Sequence, residues 1–198
     1  MQAVRVIQGT AVPLTRSDVD TDQIIPSDWL KRVERTGFGK GLFSEWRDDR
    51  AFVLNDERFA GATVLVAGPN FGTGSSREHA VWAIMDYGFA AVISPRFGPI
   101  FANNSTKNGL VAAQLDQSLV DSLLAAIDED PSLELTIDVE RLTVSVPALG
   151  IEAPFPMDPS VQERFLNGLD DIALSLLQVH DIESFEARRP AFMPQLSR

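Results

Sequence analysis

Small residues, two hydroxyls and an arginine crowd into one stretch, Gly68-Pro69-Asn70-Phe71-Gly72-Thr73-Gly74 followed by Ser75-Ser76-Arg77-Glu78-His79. Glycines let a ligand approach the backbone, and N–H groups at a helix start favour negative charge. Arginine adds a planar fork that matches a carboxylate. These are the parts of a site for a small anion, with a serine hydroxyl beside it.

Such a loop needs rigid elements on either side. The apolar run Thr63-Val64-Leu65-Val66-Ala67 reads as a strand, and Val81, Trp82, Ile84 and Met85 follow the loop at helical spacing. Ser75 with Glu78 predicts an N-cap and capping box, and the helix should stop near Tyr87 with Gly88 as its C-terminal glycine. Ala90-Ala91-Val92-Ile93 then reads as a second buried strand, parallel to the first. The unit is βαβ.

Nucleotide chemistry does not fit. A P-loop needs a lysine, and none lies between Lys40 and Lys107; the dinucleotide fingerprint wants a small residue where Arg77 stands and an acid ending the second strand. The Gly-x-Ser-x-Gly elbow is absent as well. A second loaded segment holds Asp18, Asp20 and Asp22 and runs into Gln23-Ile24-Ile25-Pro26. A calcium loop would want glycine and, at its twelfth position, glutamate where this chain has Gln23 and Trp29. On spacing alone the segment is a solvated turn that starts a helix.

With 198 residues, 44% hydrophobic and 23% charged, a single globular domain over 1–198 is expected. A net charge of -11 argues against nucleic acid and anionic membranes as partners. No window would span a bilayer and no basic, apolar leader opens the chain, so the expected location is cytoplasmic. The chain has no cysteine, which removes disulfides, thiol nucleophiles and a thiolate-held cluster, and its two histidines, His79 and His180, lie too far apart to suggest zinc.

Alternation predicts a strand over 3–12 and a hairpin over 133–146, and periodicity predicts helices over 28–35, 117–128, 159–166, 170–177 and 182–189. Residues 44–56 are charged and irregular, with Phe52-Val53-Leu54 expected as an edge strand or lid. Glycines 37, 39 and 41 suggest a flexible substrate loop over about 27–43, where Trp29, Leu30 and Val33 share one helical face. Residues 107–109 mark a turn, and 159–190 read as a C-terminal helical extension. The fold class is α/β, with a parallel central sheet, a smaller second sheet and flanking helices.

Taken together, Phe71-Gly72, Gly74-Ser75-Ser76-Arg77-Glu78-His79 and Asp20-Thr21-Asp22-Gln23-Ile24-Ile25-Pro26 resemble the mobile swivel domain of the aconitase superfamily, in particular its small-subunit family of isopropylmalate isomerases. The likeness runs from Asp20 to about Asp171. It implies a swivelling β/β/α fold and a hydro-lyase of leucine biosynthesis that turns 2-isopropylmalate into 3-isopropylmalate through isopropylmaleate. It implies Ser75 as the base, Asp22 in the active site, and Gly74, Ser76 and Arg77 on the substrate's carboxylate. Citrate-directed relatives place an arginine where Trp29, Leu30 and Val33 would here face an isopropyl group. Asn103, Asn104 and Lys107 become candidates to brace the serine loop. A large subunit carrying a [4Fe-4S] cluster is the implied partner, forming a heteromer, because this chain has no thiolate to hold the cluster.

A helix dipole offers a serine alkoxide at most ~2 kcal/mol, under two pKa units at about 1.36 kcal/mol each. A neighbouring arginine adds roughly 1–3 units. The remainder must come from a closed, dry site with a preorganised positive field. Three alternatives stay open: the small subunit of a methylmalate (citraconate) hydro-lyase, a stand-alone anion-binding module in which Ser75 only caps a helix, and a serine hydrolase pairing Ser75 with His79 or His180.

Overall fold

The computed structural model describes residues 1–31 and 36–190. Among them, strands β1 (Val6–Leu14), β2 (Val64–Ala67), β3 (Ala91–Ser94), β4 (Val111–Gln114), β5 (Glu134–Asp138), β6 (Thr143–Val146) and β7 (Ile151–Pro154) lie in the order β4-β3-β2-β1-β5-β6-β7. β1 is long enough to serve two neighbours. Its first half runs antiparallel to β5, from Val6 opposite Asp138 to Thr10 opposite Glu134. Its second half runs parallel to β2, from Ala11 opposite Val64 to Leu14 opposite Ala67. The parallel half and the smaller antiparallel half are thus one continuous sheet hinged on a single strand.

The helices are α1 (Thr21–Ile24), α2 (Glu78–Tyr87), α3 (Pro99–Asn108), α4 (Gln117–Glu129), α5 (Pro159–Asn167), α6 (Asp171–Leu176) and α7 (Val179–Ala187). β2 and β3 are buried along their whole length, as parallel strands covered on both faces must be. α4 buries Val120, Leu123, Leu124 and Ile127 at helical spacing and packs on β1, β2 and β3. None of the described helices is long and apolar enough to cross a membrane.

Several expectations need correction. Only a 3₁₀ turn, Ser27–Lys31, stands at the start of the expected 28–35 helix, opened by Trp29 N–H donating to the Pro26 carbonyl at 3.0 Å; residues 32–35 lie outside the described residues. No edge strand forms at Phe52-Val53-Leu54. Asn55 Nδ2 donates to the carbonyls of Arg47 and Asp49, both at 2.8 Å, which folds the segment back on itself as a 3₁₀ turn, Val53–Asn55. Phe52 is instead core, packed edge-on against Phe43 and Trp46. The residue 107–109 turn begins later than expected, because α3 runs through Asn108 and stops at Gly109 with φ 90°. β4 and β7 are short, and no alternation marked them.

In the glycine-rich segment, Phe38, Gly39, Gly41, Leu42 and Phe43 are buried. Gly39 N–H donates to Asp86 Oδ2 at 2.8 Å, and a Cβ there would sit 2.7 Å from the Tyr87 nitrogen. A Cβ at Gly41 would lie 2.5 Å from the Trp29 indole. These two glycines let the segment pack against α2 and Trp29. At the far end, Asp158 and Asp170 cap α5 and α6, and the hydrogen bond from Ala173 N–H is the main cause that holds the Asp170 carboxyl below the usual range. α6 and α7 leave Ile172, Leu176, Leu177, Ile182 and Phe185 exposed.

Candidate active site

The serine loop leaves the carboxyl end of β2 and enters α2, but not through the predicted cap. Helix α2 begins at Glu78, with Arg77 in the cap position (φ -119°, ψ 98°) and no side-chain hydrogen bond closing it. The Glu78 carboxylate is drawn elsewhere. It accepts from Asn108 Nδ2 at 2.8 Å, and Asn108 Oδ1 accepts from Trp82 Nε1 at 2.9 Å, so the capping-box partner is tied to α3. Ser75 is therefore not an N-cap, and arginine has no acceptor with which to replace it. The cap position offers the first-turn N–H groups nothing negative, which favours an outside anion there.

The acidic segment is stitched to this loop by its backbone. Gly72 N–H donates to the Val19 carbonyl at 2.7 Å, Thr21 N–H to the Thr73 carbonyl at 3.0 Å, and Asp18 N–H to the Pro69 carbonyl at 2.9 Å. Asp20 is used up in capping α1: its carboxylate accepts from Gln23 N–H at 2.8 Å, while its own N–H donates to Gln23 Oε1 at 3.0 Å. With Asp20 occupied, the next acid is presented instead. Asp22 forms an ion pair with Arg77, whose Nη1 also donates to the Ile25 carbonyl at 3.1 Å. The arginine side chain is 17% exposed and the aspartate 57%. Gly74, Ser75 and Ser76 lie exposed between them along the loop. Sequence-distant Asp22 and Arg77 thus meet beside the exposed Ser75.

The other flank of the loop rests on the turn from Ser94 into α3. Ser94 is fully buried, and its hydroxyl lies 2.8 Å from the Gly68 carbonyl and 3.0 Å from the Arg96 carbonyl, clamping the first turn after β2 to the end of β3. Phe71 N–H donates to the Arg96 carbonyl at 3.0 Å and Gly98 N–H to the Phe71 carbonyl at 2.8 Å. Phe71, Phe97 and Phe101 pack edge-on and stacked beneath. Gly72 has φ 74°, and a Cβ there would fall 2.3 Å from Phe101 Cγ, so both conformation and space demand glycine. The residue types of Phe97-Gly98-Pro99 mark a turn into a helix, and only the family resemblance points from there to the serine loop.

Other candidates are distributed as follows. Trp29 is half-buried against Gly41, which the Ile25 side chain also approaches; Leu30 is half-buried; Val33 lies outside the described residues. Asn108, not the side chain of Asn103, Asn104 or Lys107, braces α2, and Asn104 contributes its carbonyl to Asn108 Nδ2 at 2.9 Å. His79 is wedged between Phe38 and Trp82, with ring centroids 5.3 and 4.6 Å away, and His180 is exposed on α7. Among the described residues the Ser75 hydroxyl has Thr21 as its side-chain partner and neither histidine. The hydrolase reading lacks a base in reach.

No iron–sulfur cluster fits here. The chain has no cysteine, and the described residues hold no group of three or more His, Asp or Glu able to take a metal ion. What the geometry offers is a carboxylate-binding arginine, a helix start and an exposed serine hydroxyl held by a second hydroxyl. That suits proton transfer on a small organic acid.

Comparison with known proteins places this chain in a family. Residues 1–118 match the aconitase C-terminal domain. The chain is 56% identical over 196 residues to the 3-isopropylmalate dehydratase small subunit of Rubrobacter xylanophilus, covering 99% of this chain and 100% of the relative. It is 56% identical over 195 residues to that of Streptomyces griseus, covering 98% of each. The crystal structure of 3-isopropylmalate dehydratase (leuD) from Methanocaldococcus jannaschii superposes with a TM-score of 0.65 at 27% identity, over 91% of this chain and 99% of the other.

Proposed function

Because this chain belongs to the aconitase C-terminal-domain family and, within it, to the 3-isopropylmalate dehydratase small subunits, we propose that its serine loop supplies the base and the carboxylate-binding arginine to the assembled enzyme. The enzyme is a hydro-lyase of leucine biosynthesis whose small subunit works with a large one. Its reaction moves a hydroxyl between neighbouring carbons by dehydration and rehydration. The observation that carries the assignment of roles is the convergence of Asp22 and Thr21 on Arg77 and Ser75.

Ser75 Oγ, as the alkoxide, takes a proton from C3 of 2-isopropylmalate; the electron pair forms the C2–C3 double bond and hydroxide leaves C2, giving isopropylmaleate. Water then adds in the other sense. Its hydroxyl goes to C3, its remaining proton neutralises the hydroxide that left C2, and Ser75 returns the substrate proton to C2, so the base is regenerated. Arg77 is held ready by Asp22 and the Ile25 carbonyl, and it turns toward the substrate carboxylate as a preset fork instead of a free side chain. Gly74 and Ser76 frame the same anion beside the start of α2. Trp29, Leu30 and Val33 are assigned to the substrate's isopropyl group.

The [4Fe-4S] cluster, a Lewis acid for the leaving hydroxyl, belongs in this reading to the large subunit, since this chain has no cysteine and the described residues hold no group that suits it. Residues 1–198 act as one swivel domain that brings the loop to that partner, with 27–43 as its substrate segment. The exposed apolar residues of α6 and α7 support a surface that a partner covers.

Arg77→Ala in the assembled enzyme is expected to raise KM for 2-isopropylmalate roughly 10–100-fold, the cost of a lost charge-assisted pair. Steady-state kinetics against the unchanged chain measures it. An unaltered KM would take the carboxylate away from Arg77. Faster turnover of methylmalate than of isopropylmalate by the unchanged complex would keep the mechanism and change the substrate.

A further inference from the structure

We infer that Thr21 is a positioning residue for Ser75, whose buried hydroxyl follows the proton on Ser75 Oγ and steadies the alkoxide. The inference rests on the reading of Ser75 as base. It starts from a hydroxyl with no local task. Thr21 is 2% exposed and opens α1, yet the capping of that helix is already complete through Asp20 and Gln23. A buried hydroxyl is costly unless bonded. Among the described residues its hydroxyl meets two atoms of one residue: it donates to the Ser75 carbonyl at 3.0 Å and lies 3.3 Å from Ser75 Oγ.

Thr21 is itself immobilised. Its N–H donates to the Thr73 carbonyl at 3.0 Å, and its β-branched side chain has few rotamers. The hydroxyl proton, by contrast, turns freely about the Cβ–Oγ bond. While Ser75 is protonated, Thr21 gives its proton to the Ser75 carbonyl, and its oxygen can accept the Ser75 O–H. Once Ser75 is an alkoxide it has no proton to give, and rotation of the Thr21 O–H places a donor on the negative oxygen without moving a heavy atom. When Ser75 takes the substrate proton, the Thr21 O–H swings back. No proton is lost or gained by Thr21 in the cycle. A donor fixed before charge develops stabilises that charge at little reorganisation cost.

The test uses the full chain assembled with its large subunit, comparing Thr21→Val, which keeps the shape and removes the hydroxyl, with Thr21→Ser, which keeps the hydroxyl. Thr21→Val should lower kcat roughly 10–100-fold with KM within about twofold, and should move the rising limb of the kcat–pH profile upward by about one unit. Thr21→Ser should restore kcat to within about threefold and return the limb. An unchanged kcat and pH profile in Thr21→Val, or equal impairment in both variants, would overturn the inference. Ser75→Ala run in parallel separates the two failures: activity surviving that change would remove Ser75 as base, whereas a dead Ser75→Ala beside a normal Thr21→Val would remove Thr21 alone.

Discussion

Ser75→Ala is expected to lower kcat of the assembled enzyme by about 10²–10⁴-fold, the usual contribution of a positioned general base, while the chain stays folded. The side chain is exposed, and its hydroxyl touches only the Thr21 hydroxyl among the described residues, so truncation should shift stability by no more than about 0.5 kcal/mol. Thermal unfolding of the isolated chain and steady-state rates of the complex separate the two effects. A variant that retains kcat within threefold would show that another group removes the proton. One that melts far below the unmodified chain would show a structural role instead.

Gly98→Ala should damage the same loop from a distance. Gly98 has an ordinary φ of -61°, so alanine is conformationally acceptable there, and the objection is wholly steric. A Cβ would lie 2.3 Å from the Gly72 carbonyl oxygen and 2.8 Å from its carbon. Those are backbone atoms that cannot swing aside, and Gly72 is itself held by its N–H bond to Val19 at 2.7 Å and by Phe101 beneath. The loop must move as a unit. We expect a loss of about 1–3 kcal/mol in stability, typical of overpacking, and a fall in kcat of about 10²-fold, which a misplacement near 1 Å produces. Native melting together with full activity would mean that the aromatic platform of Phe97 and Phe101 does not set the position of Ser75.

Much of this architecture was legible in the residues. The βαβ centre could be read because residues 64–67 and 90–93 are unbroken apolar runs and α2 shows helical spacing between them. The hairpin of β5 and β6 was legible because both strands alternate. What escaped was decided by partners far away in the chain. Ser75 and Glu78 satisfy the local rule for a capping box, yet Asn108 claims the Glu78 carboxylate, and a tertiary hydrogen bond outweighs a local one. Asp20 and Asp22 are the same residue type two positions apart, and only the α1 cap makes one structural and leaves the other for Arg77. The meeting of Thr21 with Ser75 follows from the parallel bridge of Asp20 with Thr73, which no pattern within either segment encodes. Gly39 and Gly41 are the converse case, since a cluster of glycines that suggests pliancy also serves close packing against α2 and Trp29.

The most direct measurement is reconstitution under anaerobic conditions. This chain, a large subunit with its iron–sulfur cluster intact, and the two together are each given 2-isopropylmalate, and isopropylmaleate is followed by its ultraviolet absorbance. Turnover by the mixture and by neither chain alone is the predicted result, because the proposed base and carboxylate-binding arginine lie here while this chain has no cysteine to carry the cluster. Turnover by this chain alone, or none in a mixture whose cluster is intact, would contradict it.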